Sequence, residues 1–517
     1  MMDLVLDAAA WVDRLLWGPW TLVFIGCISV YLTLRTRFFQ LRGLRLIVRA
    51  TFGSLVRGRE PSPGAPAPSP GGPGVATGAP ASTRSESVAG IPAPSEAASD
   101  KARKGRMTPF QATSTALAST VGMGSIAGVA TALSIGGPGA IFWMWLLALL
   151  GTITKTAEIT LAVHYRDIDE TGRIRGGPMY YIRRGLGWPV LASLFSAGIF
   201  VNALSAASLL QAHTVGRSFL ASYGTNPYLV AGVMTLVTAM VVIGGVRRIG
   251  QVREGLVPFM SLVYVAAGLL LFLVSWRSIP QVFGSIFTHA FSPIPAMGGF
   301  AGAAVMQAVQ AGVARGMFSN EAGLGTAPMA HATAETAHPF QQGMWGAFEV
   351  FLVTFVICTI TAFAVLSTGV LSSGASGIEL VILAFSSVFP DVVAKNLISF
   401  CILAFCLTTQ IGFFIYFETA STDVFGRGAT RWLRWLYFLP PVLFAGVADV
   451  DRIWVFANIA VGVCAIPNLV AVLALSGVFL VLMNDYLSGA GRFSTRRIDG
   501  TGDFVRRASG ARNGGDP

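Results

Sequence analysis

The 517-residue chain is 53% hydrophobic and only 12% charged, about half the charged share of soluble proteins, which excludes a water-soluble globular protein. Its formal net charge of +11 sits in loops between apolar runs, so it reads as membrane topology and argues against nucleic acid as a partner. Cys27, Cys358, Cys401, Cys406 and Cys464 all lie inside apolar segments, a placement that suits neither a disulfide framework nor thiolate chemistry.

In chain order, about eleven membrane spans are predicted. Their cores are 20–34, 112–135, 139–163, 190–215, 229–243, 256–275, 299–324, 344–367, 397–417, 430–447 and 453–483, most of them long enough for the hydrocarbon layer. Asp3, Asp7 and Asp13 precede the first run, where a cleaved signal would carry basic residues, so residues 1–37 are expected to stay as an N-terminal transmembrane helix. Residues 38–60 alternate arginines with Phe, Leu, Ile and Val, as a basic segment lying on the membrane face would, although a solvated basic loop fits the same pattern. Residues 61–107, rich in Pro, Ala, Gly and Ser, are expected to form a disordered cytoplasmic loop. Further on, 378–389 is too short to span and is read as re-entrant or interfacial. Pro440 and Pro441 interrupt the tenth span, and Pro467 is expected to kink the last.

Arginine and lysine set the expected orientation. With the N-terminus outside, the basic loops 35–106, 166–184, 247–253 and 427–434 and the tail 485–517 fall in the cytoplasm, and among the connecting loops Arg217, Arg277, Lys395 and Arg452 are left outside. That asymmetry is the one the positive-inside rule describes; only the loop 327–341, without Lys or Arg, departs from it. The expected location is the cell membrane.

The most telling feature is a pair of glycine clusters inside apolar runs, STVGMGSIAG at 119–128 and RGMFSNEAGLGT at 315–326. Irregular backbone at membrane depth is tolerated only where it is buried or lines a cavity. Setting the first span aside, the other ten divide into two groups of five, residues 108–276 and 277–484. The lead span of each group carries a break and the two run in opposite directions. An inverted repeat with discontinuous lead helices places a binding site between them.

At Gly122, Met123, Gly124 and Ser125 the freed N–H groups favour a carboxylate. Carbonyls at Ala118 and Val121 can coordinate a hard cation. Those around Phe318, Ser319 and Asn320 suit an ammonium group, so the two breaks together match a zwitterion. Either cluster alone also reads as glycine packing against a neighbouring helix.

These residues sit in long strings that resemble the alanine/glycine:cation symporter family. The strings are FQATSTALASTVGMGSIAGVATALSIGGPGAIFWMW from Phe110, GGPMYYI from Gly176, LVPFMSLVYV from Leu256, GGFAGAAVMQAVQAGVARGMFSNEAGLGTAPMAHA from Gly298, ICTITA from Ile357 and AIPNL from Ala465. The resemblance covers about residues 108–483. It implies an all-α polytopic membrane protein with a leucine-transporter-like five-plus-five inverted repeat and one extra N-terminal helix. The implied activity is sodium-coupled symport of small neutral amino acids, alanine or glycine by default, by alternating access. Sodium would be co-transported, with no organic cofactor and no enzymatic activity. Carried over residue by residue, Thr120, Gly122 and Gly124 would border the substrate carboxylate, Phe318, Ser319 and Asn320 its amino group, and Gln211 the pocket. Thr408 and Thr409 would bind sodium with the Ala118 and Val121 carbonyls, although helix–helix hydrogen bonding also explains such hydroxyls.

Four positions depart from the family pattern: Ser125 and His213 stand where Asn is usual, Val353 where an intramembrane Asp is usual, and Gln410 follows the threonine pair. They make a divergent member. They leave the substrate open, and His213 admits proton coupling, while a hydrogen-bonded packing histidine is the alternative. Arg315 and Glu321 could pair or brace the second break. Lys155 and Glu158, one turn apart, read as a local pair snorkelling to water. Glu349 and Glu418 fit either a gate or solvation. A channel would need a continuous polar path. A membrane enzyme or ATP-driven pump finds no support: His164, His213, His289, His331 and His338 lack zinc-ligand spacing, and there is no phosphate loop. The lipid bilayer and a small neutral amino acid are the expected partners, and the oligomeric state stays open.

Overall fold

A chain this apolar can satisfy its backbone in lipid only by helices or a closed barrel, and its structure, a computed structural model, is helical. The structure describes residues 2–57, 107–168, 174–243, 245–292, 301–446, 450–490 and 492–493. The loop expected at 61–107 lies outside them apart from Met107, as does the tail beyond 493.

Among the described residues, seven helices are long and apolar enough to cross a membrane: Asp7–Arg35, Gly139–His164, Pro189–Tyr223, Gly255–Val274, Pro339–Thr368, Asp391–Phe444 and Ile453–Ala474. The pair Pro109–Thr120 and Gly124–Gly136, bent by 52°, adds an eighth. The tally falls below eleven because Ala301–Asn320, which carries Gln307, Gln310 and Arg315, is not among these helices, and because of local geometry elsewhere. Pro227–Ile243 has 17 residues. The expected spans 397–417 and 430–447 run together as Asp391–Phe444, with the chain turning at Gly426 (φ 79°, ψ 167°). The last expected span divides at Leu475, between Val450–Ala474 and Ser476–Leu487, while Pro467 is accommodated inside the first of these helices. The short segment near 378–389 forms Gly377–Ser386, whose apolar side is buried against Gly124–Gly136 and Asp391–Leu433.

Local chemistry sets the helix ends and contacts. Thr108 and Gln111 close a capping box with Pro109 at the first helical position, satisfying donors that have no partner within the helix. Gly312 and Gly316 form a small-residue ridge on Ala301–Asn320. A Cβ at Gly312 would collide with the Ala140 carbonyl, and one at Gly316 would lie 3.1 Å from Met144. Such ridges let backbones approach where lipid supplies no hydrophobic driving force between helices. Two large apolar clusters result, and Phe318 and Leu407 border both. The breaks meet at that seam.

Candidate functional site

The first half-helix, Pro109–Thr120, stops at Val121 (φ −81°, ψ 86°), and the chain resumes at Gly124–Gly128 as a π-helical turn. π-bulges of this kind recur at functional sites because they free backbone groups. Glycine is demanded by crowding. A Cβ on Gly122 would lie 2.7 Å from Thr409 Oγ1 and 3.0 Å from Gln211 Oε1, and one on Gly124 would lie 2.8 Å from Phe318 Cδ1. The Gln211 carboxamide accepts from the Met123 N–H at 3.1 Å and donates to the Ala206 carbonyl at 3.3 Å, tying the break to the helix that crosses it.

Thr409 Oγ1 donates to the Ala118 carbonyl at 3.0 Å and lies 3.5 Å from the Val121 carbonyl. Three of the four expected cation ligands therefore converge, all oxygens, the donor set a hard cation takes. Thr408 turns elsewhere: its hydroxyl bonds the Ala404 and Phe405 carbonyls of its own helix at 3.0 and 2.9 Å.

Ala301–Asn320 leads into the second break. Glu321 (φ 55°), Gly323 (φ 90°) and Gly325 (φ 78°) all adopt left-handed backbone, sterically costly for the glutamate. Thr326 donates to Glu321 Oε2 at 2.6 Å, and the Asn468 amide donates to the Gly323 carbonyl at 2.9 Å and to Glu158 Oε1 at 2.6 Å. Tyr181 donates in turn to Asn468. Thus the GGPMYYI and AIPNL strings, far apart in sequence, meet as one clamp on this break.

Lys155 departs most from expectation. It does not snorkel: both it and Glu349 are 0% exposed, with Nζ 3.0 Å from Glu349 Oε2 and donating to the Asn320 carbonyl at 2.8 Å. The carbonyl end of a half-helix attracts a cation, and here the protein supplies its own ammonium. Glu349 Oε1 contacts His331 Nε2 at 2.6 Å, and Gln342 Nε2 reaches His331 Nδ1 at 2.7 Å. Glu418, by contrast, stays at the surface near Arg434.

Between the breaks lies a small cavity lined by Thr120, Gly122, Gly124, Gln211, Phe318 and Thr409 among the expected site residues. Ser319 and Asn320 are not on its wall. Ser319 bonds the Gly316 carbonyl, and the Asn320 amide reaches Thr354 and the Ala322 N–H. Sequence reasoning missed Asn202 and gave Glu321 a bracing role, yet both line the cavity. Asn202 is 2% exposed, and its Oδ1 has no hydrogen-bond partner among the described residues. It stands at the entry of the π-helical turn Ala203–Leu209. An amide set among Phe200, Val201, Ala203 and Leu204 was the available signal. His213 is off the cavity, its Nδ1 held 2.9 Å from the Ala445 carbonyl, the packing arrangement rather than the pocket one. Arg315 lies 3.5 Å over the Trp454 ring, which meets Phe318 edge-on.

Known proteins resemble this chain in sequence and in fold. The model of the sodium:alanine symporter family matches residues 91–496. The sodium/alanine symporter AgcS of Methanococcus maripaludis is 32% identical over 90% of this chain and 94% of its own length. The probable sodium/glutamine symporter GlnT of Bacillus subtilis is 34% identical over 92% of this chain and 89% of its own. Among solved structures, MhsT in complex with L-phenylalanine superposes with a TM-score of 0.52 at 13% identity, covering 74% of this chain and 91% of that one. That likeness speaks for the fold alone, a leucine-transporter-like helical bundle.

Proposed function

The chain belongs to the sodium:alanine symporter family of membrane transporters, and from that premise we propose that it carries a small neutral amino acid into the cell together with sodium. One observation carries the reading. Two broken helices enclose a cavity that offers helix-break backbone on one wall and buried oxygen acceptors on the other.

In this reading the substrate carboxylate sits against the break at Thr120, Gly122 and Gly124, where partial positive charge collects at the start of Gly124–Gly136. The ammonium faces Asn202 Oδ1 and the Glu321 carboxylate. The Asn320 carbonyl is less suited to that role because Lys155 already occupies it. Ser319 and Asn320 then support the break from behind while Phe318 closes over the substrate. Phe318, Phe413 and Val461 crowd the same cavity, which favours alanine or glycine over larger side chains. Sodium is coordinated by the Ala118 and Val121 carbonyls and Thr409, with Thr408 joining only if its hydroxyl leaves the carbonyls of its own helix.

The two five-helix groups form an inverted repeat that rocks about this site, with the N-terminus outside and the tail in the cytoplasm of the cell membrane. A second reading, proton coupling, draws on the buried His331–Glu349–Lys155 chain that ends on the second break, rather than on His213.

Thr409→Ala tests the cation site. The sodium concentration for half-maximal uptake should rise about tenfold, ~1.4 kcal/mol, while the order of preferred amino acids stays as it was. An unchanged sodium dependence would remove Thr409 from the site.

A further inference from the structure

We propose that a crevice at the end of the first apolar helix binds the headgroup of an anionic phospholipid. The crevice encloses about 740 Å³, within the roughly 300–1,000 Å³ of small-molecule sites. It lies between the turn that follows Pro19–Arg35 and the helix Ser476–Leu487.

One wall is basic. Arg35, Arg37 and Arg42 converge on it, and Arg37 and Phe38 both take left-handed backbone (φ 54° and 58°), folding the chain sharply so that arginines on either side of the turn face one space. Among the described residues, Arg35 bonds a neutral group, donating to the Tyr31 hydroxyl at 3.0 Å. Among the described residues, Arg37 and Arg42 have no acidic partner. Asp485, next to the lining residue Asn484, is committed elsewhere. It accepts from the Arg492 and Phe493 N–H groups at 3.2 and 3.1 Å and lies 3.3 Å from His338 Nε2.

The opposite wall is apolar: Leu46 faces Leu480, Met483 and Leu487, the last three on one side of their helix by spacing. Three guanidinium groups recognise phosphate. A greasy wall beside them suits an acyl chain, and a free phosphate ion would have no use for it. The crevice also opens where an exposed apolar helix, with Val30 and Leu34 on its surface, reaches its basic end, which is headgroup depth. Basic pockets between transmembrane helices bind anionic headgroups in this way.

The test is native mass spectrometry of the purified, delipidated full chain, titrated with phosphatidylglycerol and with phosphatidylethanolamine of identical acyl chains. The intact chain should bind phosphatidylglycerol with a preference of about fivefold or more. Arg35→Gln/Arg37→Gln/Arg42→Gln should abolish the preference. Arg45→Gln/Arg49→Gln, which changes neighbouring arginines outside the crevice, should keep it, as should Arg35→Lys/Arg37→Lys/Arg42→Lys in weaker form. Equal binding of the two lipids by the intact chain would overturn the site, as would equal loss in the Arg45/Arg49 variant. Displacement of the lipid by millimolar inorganic phosphate alone would reassign the crevice to a free anion and overturn the lipid.

Discussion

Gly122→Val is expected to abolish alanine uptake and alanine binding while leaving a folded protein in the membrane. The added Cβ would lie 2.7 Å from Thr409 Oγ1 and 3.0 Å from Gln211 Oε1. The branched side chain therefore enters the space assigned to the substrate and also presses on the hydroxyl assigned to sodium. Overpacking of this sort costs about 1–3 kcal/mol of stability, too little to unfold a protein of this size, but it removes the cavity itself. Uptake should fall by more than about a hundredfold, equivalent to ~2.7 kcal/mol, with Gly122→Ala intermediate because its single methyl still displaces Thr409 Oγ1 but leaves more of the cavity open. Uptake by purified protein, together with a thermal unfolding curve, separates lost binding from lost folding. Normal transport by Gly122→Val would place the substrate elsewhere.

Lys155→Met carries the largest expected loss of stability. It leaves Glu349 buried beside His331 without its ammonium partner and uncaps the Asn320 carbonyl at the second break. Breaking a buried pair from one side costs about 3–5 kcal/mol, whereas neutralising both sides costs far less. The double variant Lys155→Met/Glu349→Gln should therefore unfold at a higher temperature than Lys155→Met alone, a coupling that a double-mutant cycle reads directly. Transport should recover less than stability does, because the Asn320 carbonyl stays uncapped in both. If the double variant were no more stable than the sum of its single changes, the pair would not be holding the break.

Much of this site could be read from the residues because glycine leaves a local mark. Gly122 and Gly124 stand out in an apolar run, as do Gly323 and Gly325, and backbone chemistry at a break follows from the break itself. The convergence of Thr409 with the Ala118 and Val121 carbonyls followed from the family resemblance, and the geometry brings those atoms to 3.0 and 3.5 Å.

The rest depended on how helices turn against each other. Lys155 and Glu158 are three apart on one helix and so look like a local pair. Close approach at Gly312, Gly316, Gly343 and Gly346 instead delivers Lys155 to a carbonyl 165 positions away. The face that Asn202 occupies was hidden for a related reason. The π-helical turn at Ala203–Leu209 shifts the helical register, so a period of 3.6 does not say which face the amide occupies. Pro467 lies inside Val450–Ala474, where neighbouring helices can re-satisfy the backbone its missing donor frees, and the interruption of the last expected span falls at Leu475.

The measurement that bears most directly on the central claim is uptake of labelled alanine into proteoliposomes holding the full chain, under an inward sodium gradient and, separately, an inward proton gradient. Accumulation above equilibrium with sodium alone, lost in Gly122→Val, is the predicted result. Accumulation driven by protons and indifferent to sodium would contradict the assignment of Ala118, Val121 and Thr409 as a sodium site, and would move the coupling to His331, Glu349 and Lys155.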